Sequence, residues 1–148
     1  MTTTNATIAE EMKKLLAETY TLYLKTHNYH WNVTGPMFHS LHLLFETHYT
    51  ELAIAVDDIA ERIRTLGHRA PGSYAEFALL SSVKDSEGEP DAMAMLAELS
   101  EDNQAVAKRA HQVARLAAEA GDEGTVSLAG ARIEVHEKNG WMLSAHLG

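Results

Sequence analysis

From Ile8 to Val33, the residues that a helix would bury recur without a break at steps of four and three. They are Ile8, Met12, Leu15, Thr19, Leu22, Thr26, Tyr29 and Val33. That period is one face of an α-helix about seven turns long. A second face follows at once: Phe38, Leu41, Phe45, His48, Leu52, Ala55, Ile59, Ile63 and Leu66, stopping at Gly67. Between them stands Thr34-Gly35-Pro36, where glycine suits a helix C-terminus and proline a following first turn. Two long helices joined by so short a corner must lie antiparallel. A third face reads Ala92, Leu96, Leu99, Val106, Ala110, Val113 and Ala117. Pro90 opens that helix with Asp91 in its first turn, and Gly121 ends it. The fourth helix covers roughly 125 to 146, with Ala129, Ile133, His136, Leu143 and Leu147 in register. Gly130 and Gly140 lie inside it, each costing about 1 kcal/mol relative to alanine.

Residues 67 to 90 make a connection too long for a plain loop. Within it "SYAEFALL" reads as a short helix, with Ser73 as N-cap and Glu76 completing a capping box. No strand pattern, repeat or low-complexity segment interrupts the scheme. The expectation is therefore all-α: one domain over 1–148, a four-helix bundle with a short extra helix in the long crossover between helices 2 and 3. Such a crossover belongs to ferritin-like and to cytokine-like bundles.

Composition narrows the chemistry. The absence of cysteine removes disulfides, thiolate chemistry and zinc ribbons. The N-terminus has no apolar run behind a basic start, and no apolar stretch reaches the roughly 20 residues a bilayer span needs. A soluble cytoplasmic protein is expected. The formal charge of −9 repels phosphates and attracts cations, and neither end carries a basic tail. A simple nucleic-acid binder is disfavoured.

The richest stretch is 27–46, "HNYHWNVTGPMFHSLHLLFE", with four histidines and a glutamate around the corner. On the second helix His42, Glu46, Asp57 and Glu61 fall within one sector of about 100°. The apolar face, Phe45, Leu52, Ile59 and Ile63, points elsewhere. His30 lies near level with His42 across the corner. Yet His42 and Asp57 are separated by about 22 Å along the axis, so one helix cannot bring them to a common ion. Two copies packed antiparallel about a two-fold axis can, and they would form two such sites. Imidazole and carboxylate without sulfur suits iron, manganese or zinc. The same spacing also describes a solvated acidic face. A di-iron site inside the bundle would need Glu-x-x-His pairs, and no glutamate is followed three residues later by histidine.

The chain resembles the Dps proteins (DNA-binding protein from starved cells), the twelve-subunit mini-ferritins of bacteria. The resemblance rests on "HNYHWNVTGPMFHSLHLLFE", "DDIAERIRTLG", "APGSYAEF" and "RIEVHEKNGWMLSAHL". It implies a ferritin-like bundle and a homo-oligomer of twelve. It also implies an inter-subunit di-iron ferroxidase site with His30, His42, Glu46, Asp57 and Glu61 as ligands. In the family two histidines and the nearby acid come from one subunit, and the Asp/Glu pair from its two-fold mate. Asp57 and Glu61 would hold the tighter iron, completed by His30, and His42 and Glu46 the weaker one. The implied activity is oxidation of Fe(II), preferentially by hydrogen peroxide, with storage of Fe(III) in a hollow shell and protection against oxidative stress. Trp31 would sit beside the iron, where it can intercept stray oxidising equivalents or anchor an interface. Asp122 and Glu123 would line the pore through which iron enters, although Ser127 stands where the family commonly has aspartate. His27 and His39 are expected to serve as ordinary surface or supporting residues. Two other readings remain: a DNA-compacting nucleoid protein with iron oxidation secondary, and a plain helical oligomer. Lysine-rich tails, which bind DNA in some members, are absent.

Overall fold

The computed structural model describes residues 3–148. Its elements are α1 (Asn5–Asn32), α2 (Phe38–Thr65), α3 (Tyr74–Leu80), α4 (Ala92–Glu119) and α5 (Glu123–Ser144), followed by a 3₁₀ turn over Ala145–Leu147. No strand occurs among the described residues. Every residue of the first predicted face, Ile8 to Val33, is buried. The third and fourth faces meet it in one continuous core with α2.

Polar pairs fix how the helices run. Lys25 on α1 reaches Glu98 and Asp102 on α4, both at 2.6 Å, while Arg109 further along α4 reaches back to Glu11 and Glu18. Those two helices are therefore antiparallel. Arg132 to Glu51 and Arg62 to Asp122 make α2 and α5 antiparallel too. The crossover must then travel the length of the bundle, as the long 67–90 segment allows. Glu18 is fully buried and accepts from Arg109, the Ser82 hydroxyl and the Ser82 N–H. A buried carboxylate persists only when its oxygens are satisfied in this way. Here it staples the crossover to α1 and α4.

The helix ends follow the sequence with three differences. Asp91 is the N-cap of α4, its carboxylate accepting from the Ala94 N–H, so Pro90 precedes the helix rather than opening it. Helix α5 starts at Glu123 because Asp122 caps it by accepting from the Thr125 N–H. Phe38 and Leu147, placed on core faces by periodicity, are 42% and 41% exposed. Both lie at helix ends, where the period continues past the last neighbour that could cover it. Ser73 caps α3 as expected, and Glu76 accepts from the Ser73 hydroxyl and from Arg69.

Candidate metal centre

The α1–α2 corner builds the first half of the site. The last turn of α1 leaves carbonyls with no intrahelical donor. One of them is that of His30, and the His42 ring fills it: Nδ1–H donates to the His30 carbonyl at 2.7 Å. His30 returns the contact, its Nδ1–H donating to the His42 carbonyl at 2.7 Å. A carbonyl only accepts, so both Nδ1 atoms must carry the proton. In the neutral rings both Nε2 lone pairs are then free. Metal-binding imidazoles are characteristically held this way, oriented through the nitrogen that does not bind. The rings stack at 3.8 Å with 15° between their planes.

Glu46, one turn after His42, brings its carboxylate to 3.9 Å from His30 Nε2. His30, His42 and Glu46 each offer a ligand atom, and these lie within 4.8 Å of one another. His30 is buried while Glu46 is exposed, so the triad opens outward from the protomer. Two nitrogens and one carboxylate would leave a bound ion with open positions.

Aromatic rings wall this opening, and spacing alone did not mark two of them. Phe38 stacks on His42 at 5.0 Å, which is where the end of α2 sends a side chain it cannot bury. Tyr49 stacks on His27 at 4.1 Å and meets His30 edge-on at 5.0 Å. Tyr49 falls one turn after Glu46 on the same side of α2, and that position was the legible signal. Trp31 is 58% exposed and lies against His27 at 3.9 Å. Burial, then the nearby His30, holds the His27 pKa below its ordinary value. His39 is exposed beyond this cluster.

Asp57 and Glu61 do not join the triad within one protomer. They stand one turn apart on α2, both exposed, about 22 Å along the axis from His42. Their neighbours Glu51 and Arg62 take the arginine and carboxylate partners on α5 instead. Asp122 is already occupied: it caps α5, accepts from the Thr125 hydroxyl at 2.5 Å and pairs with Arg62 at 2.7 Å. Glu123 and Ser127 are exposed on the first turns of α5.

A ferritin-like domain matches residues 9–148. The chain is 33% identical over 143 residues to DNA protection during starvation protein 2 of Bacillus anthracis, covering 97% of this chain and 98% of that one. It superimposes on Dps from Staphylococcus aureus with a TM-score of 0.95 at 32% identity, covering 99% of this chain and 98% of the other. The chain belongs to the Dps family of ferritin-like proteins. A further Dps structure, from Vibrio cholerae O1, aligns with a TM-score of 0.93 at 33% identity, covering 97% and 91% of the two chains. That protein is described as a member of a broad superfamily of ferritin-like diiron-carboxylate proteins. In this Dps chain the candidate triad runs from the buried His30 through the half-buried His42 to the exposed Glu46, at the edge of the bundle. Among the described residues no helix is long and apolar enough to cross a membrane.

Proposed function

We propose that this chain oxidises Fe(II) at a site completed only by a second copy and stores the product as Fe(III) inside a twelve-subunit shell. Iron is the substrate. His30, His42 and Glu46 of one protomer would face Asp57 and Glu61 of its two-fold mate. The observation that carries this reading is the reciprocal histidine lock, which engages both Nδ1 atoms and leaves Nε2 for an ion beside the exposed Glu46. An outward-facing triad and a distant exposed Asp/Glu pair on the same helix are each half a site. An antiparallel two-fold arrangement places the halves together twice.

Hydrogen peroxide is the oxidant we favour. Two Fe(II) ions held together supply two electrons to one peroxide, which with two protons becomes two waters. Two Fe(III) remain and no hydroxyl radical is released. The family's diiron-carboxylate relationship supports the iron, and the −9 charge supports attraction of cations. The DNA-compacting alternative finds less support. Lys13 and Lys14 on α1 are paired with Glu10 and Glu11, and the formal charge of −9 repels phosphate.

The test is peroxide-driven Fe(II) oxidation by the intact protein and by an Asp57→Ala/Glu61→Ala variant. The variant is expected to oxidise iron no faster than buffer does. Rates equal to those of the unaltered protein would sink the assignment.

A further inference from the structure

Helices α2 and α5 touch only sparsely, far less than α4 with α5 or α1 with α2. Two opposed arginine contacts join them. Arg132 of α5 grips both oxygens of Glu51 on α2, at 2.5 and 3.1 Å. Arg62 of α2 grips the α5 cap in return, donating to Asp122 at 2.7 Å and to the Thr125 hydroxyl at 3.0 Å. Between the two grips the helices do not close. A cleft of about 560 Å³ separates Asp58 and Glu61 on one wall from Ser127 and Ala131 on the other.

The second grip depends on Gly124. A Cβ built there would stand 2.8 Å from the Arg62 guanidinium, so the missing side chain lets the arginine lie against the first turn of α5. Glu51 and Arg62 bracket the segment of α2 that carries Asp57 and Glu61. The grips hold a strip of α2 roughly 80–140° around the axis from those carboxylates. They therefore fix the roll of the helix, and with it the direction in which the pair faces. Metal geometry tolerates errors of only about 0.5 Å and 10–20°.

We infer that Arg62, Asp122 and Gly124, together with Arg132 and Glu51, are positioning residues that aim Asp57 and Glu61 at the neighbouring subunit's histidines. This rests on the inter-subunit site proposed above. It gives Asp122 a role other than lining a pore: its carboxylate is spent on the α5 cap and on Arg62.

Two variants test it without emptying the corner. Gly124→Ala pushes the Arg62 guanidinium aside while adding a better helix former to α5. Asp122→Asn keeps an equally good N-cap but removes the charge that holds Arg62. The probe is Zn(II) alone, titrated calorimetrically into the metal-free assembled protein. Assembly is followed by light scattering, and an Asp57→Ala/Glu61→Ala variant serves as reference. Both positioning variants are expected to assemble and keep the zinc stoichiometry, with affinity weakened about 10-fold, the lower end of the loss seen when groups that orient a metal ligand are removed. Wild-type affinity in either assembled variant would overturn the inference and leave the site reading intact. Loss of assembly in both would also overturn it, because the corner would then build the shell and not aim the carboxylates. If the reference variant binds zinc as the wild type does, the site reading itself falls and takes this inference with it.

Discussion

The most informative residues are histidines, and their surroundings divide them into two kinds. His30 and His42 are oriented through Nδ1 by each other's backbone, which leaves Nε2 for a ligand, that of His30 lying 3.9 Å from Glu46. His136 is sealed: Nδ1–H donates to Asn103 Oδ1 at 2.8 Å, and Nε2 accepts from Arg132 at 3.0 Å. Both nitrogens are used only if the ring is neutral. Burial, then the Arg132 charge and His48, lowers its pKa to about 3. Burial lowers that of His48 to about 4, against a smaller opposing pull from Glu51. The sign of the pH effect follows. Above the unfolded value of about 6.5 both rings are neutral in either state, and the stability they permit is complete. Below it the unfolded chain binds protons that the folded chain refuses. Stability should then fall by about 1.4 kcal/mol per pH unit for each ring, until pH reaches the folded values near 4 and 3. Urea unfolding at fixed protein concentration across pH 7 to 4 measures this. In His136→Gln, whose amide can offer a donor and an acceptor without titrating, the slope should drop by about one proton. An unchanged slope would place the acid sensitivity elsewhere.

Among the helices, α5 departs furthest from ideal composition, because glycines interrupt it. Gly124 has a reason in the Arg62 contact. Gly140 does not: it is buried against α4, and a Cβ there would meet Asn103 Cβ and the Ser100 carbonyl at an ordinary 3.7 Å. Gly140→Ala should therefore stabilise the protein by about 0.5–1 kcal/mol through helix propensity alone, read as a raised denaturation midpoint. A lowered midpoint would mean that the α4–α5 seam has no room for a methyl group. The contrast shows what could be read from the chain before its structure. The long faces were legible because one helical period dictates both conformation and burial, and Ile8 through Val33 obey it throughout. Helix ends were less so, as Phe38 and Leu147 show, because cover depends on where a neighbour stops. The proposed ligands of α2 read as one stripe, and the separation of about 22 Å between its ends is why the proposed site needs a second chain. The histidine lock was not, since it arises where the orphan carbonyls of one helix meet the rings of another. Arg62 with Asp122 and Gly124 was hidden for the same reason: the partners lie about sixty residues apart, and the glycine matters only as space.

At the scale of the whole molecule, the proposed site makes a demand that no single protomer can meet. If each site takes imidazoles from one chain and the Asp/Glu pair from another, two inactive proteins can repair each other. A His30→Ala/His42→Ala chain keeps Asp57 and Glu61, and an Asp57→Ala/Glu61→Ala chain keeps the histidines. Homodimeric pairs of either variant hold no complete site. In a mixed pair, one of the two symmetry-related sites draws intact residues from both chains, while the other draws both sets of alanines. Random co-assembly makes about half of the pairs mixed, so about one quarter of all sites should be whole. Co-expressed variants, purified as assembled shells, should oxidise Fe(II) with peroxide at about a quarter of the wild-type rate per subunit, although each variant alone is inert. A site built within one chain would recover nothing on mixing. Recovery thus tests the two-fold geometry independently of which metal or oxidant the site prefers, because it depends only on which chain each ligand comes from.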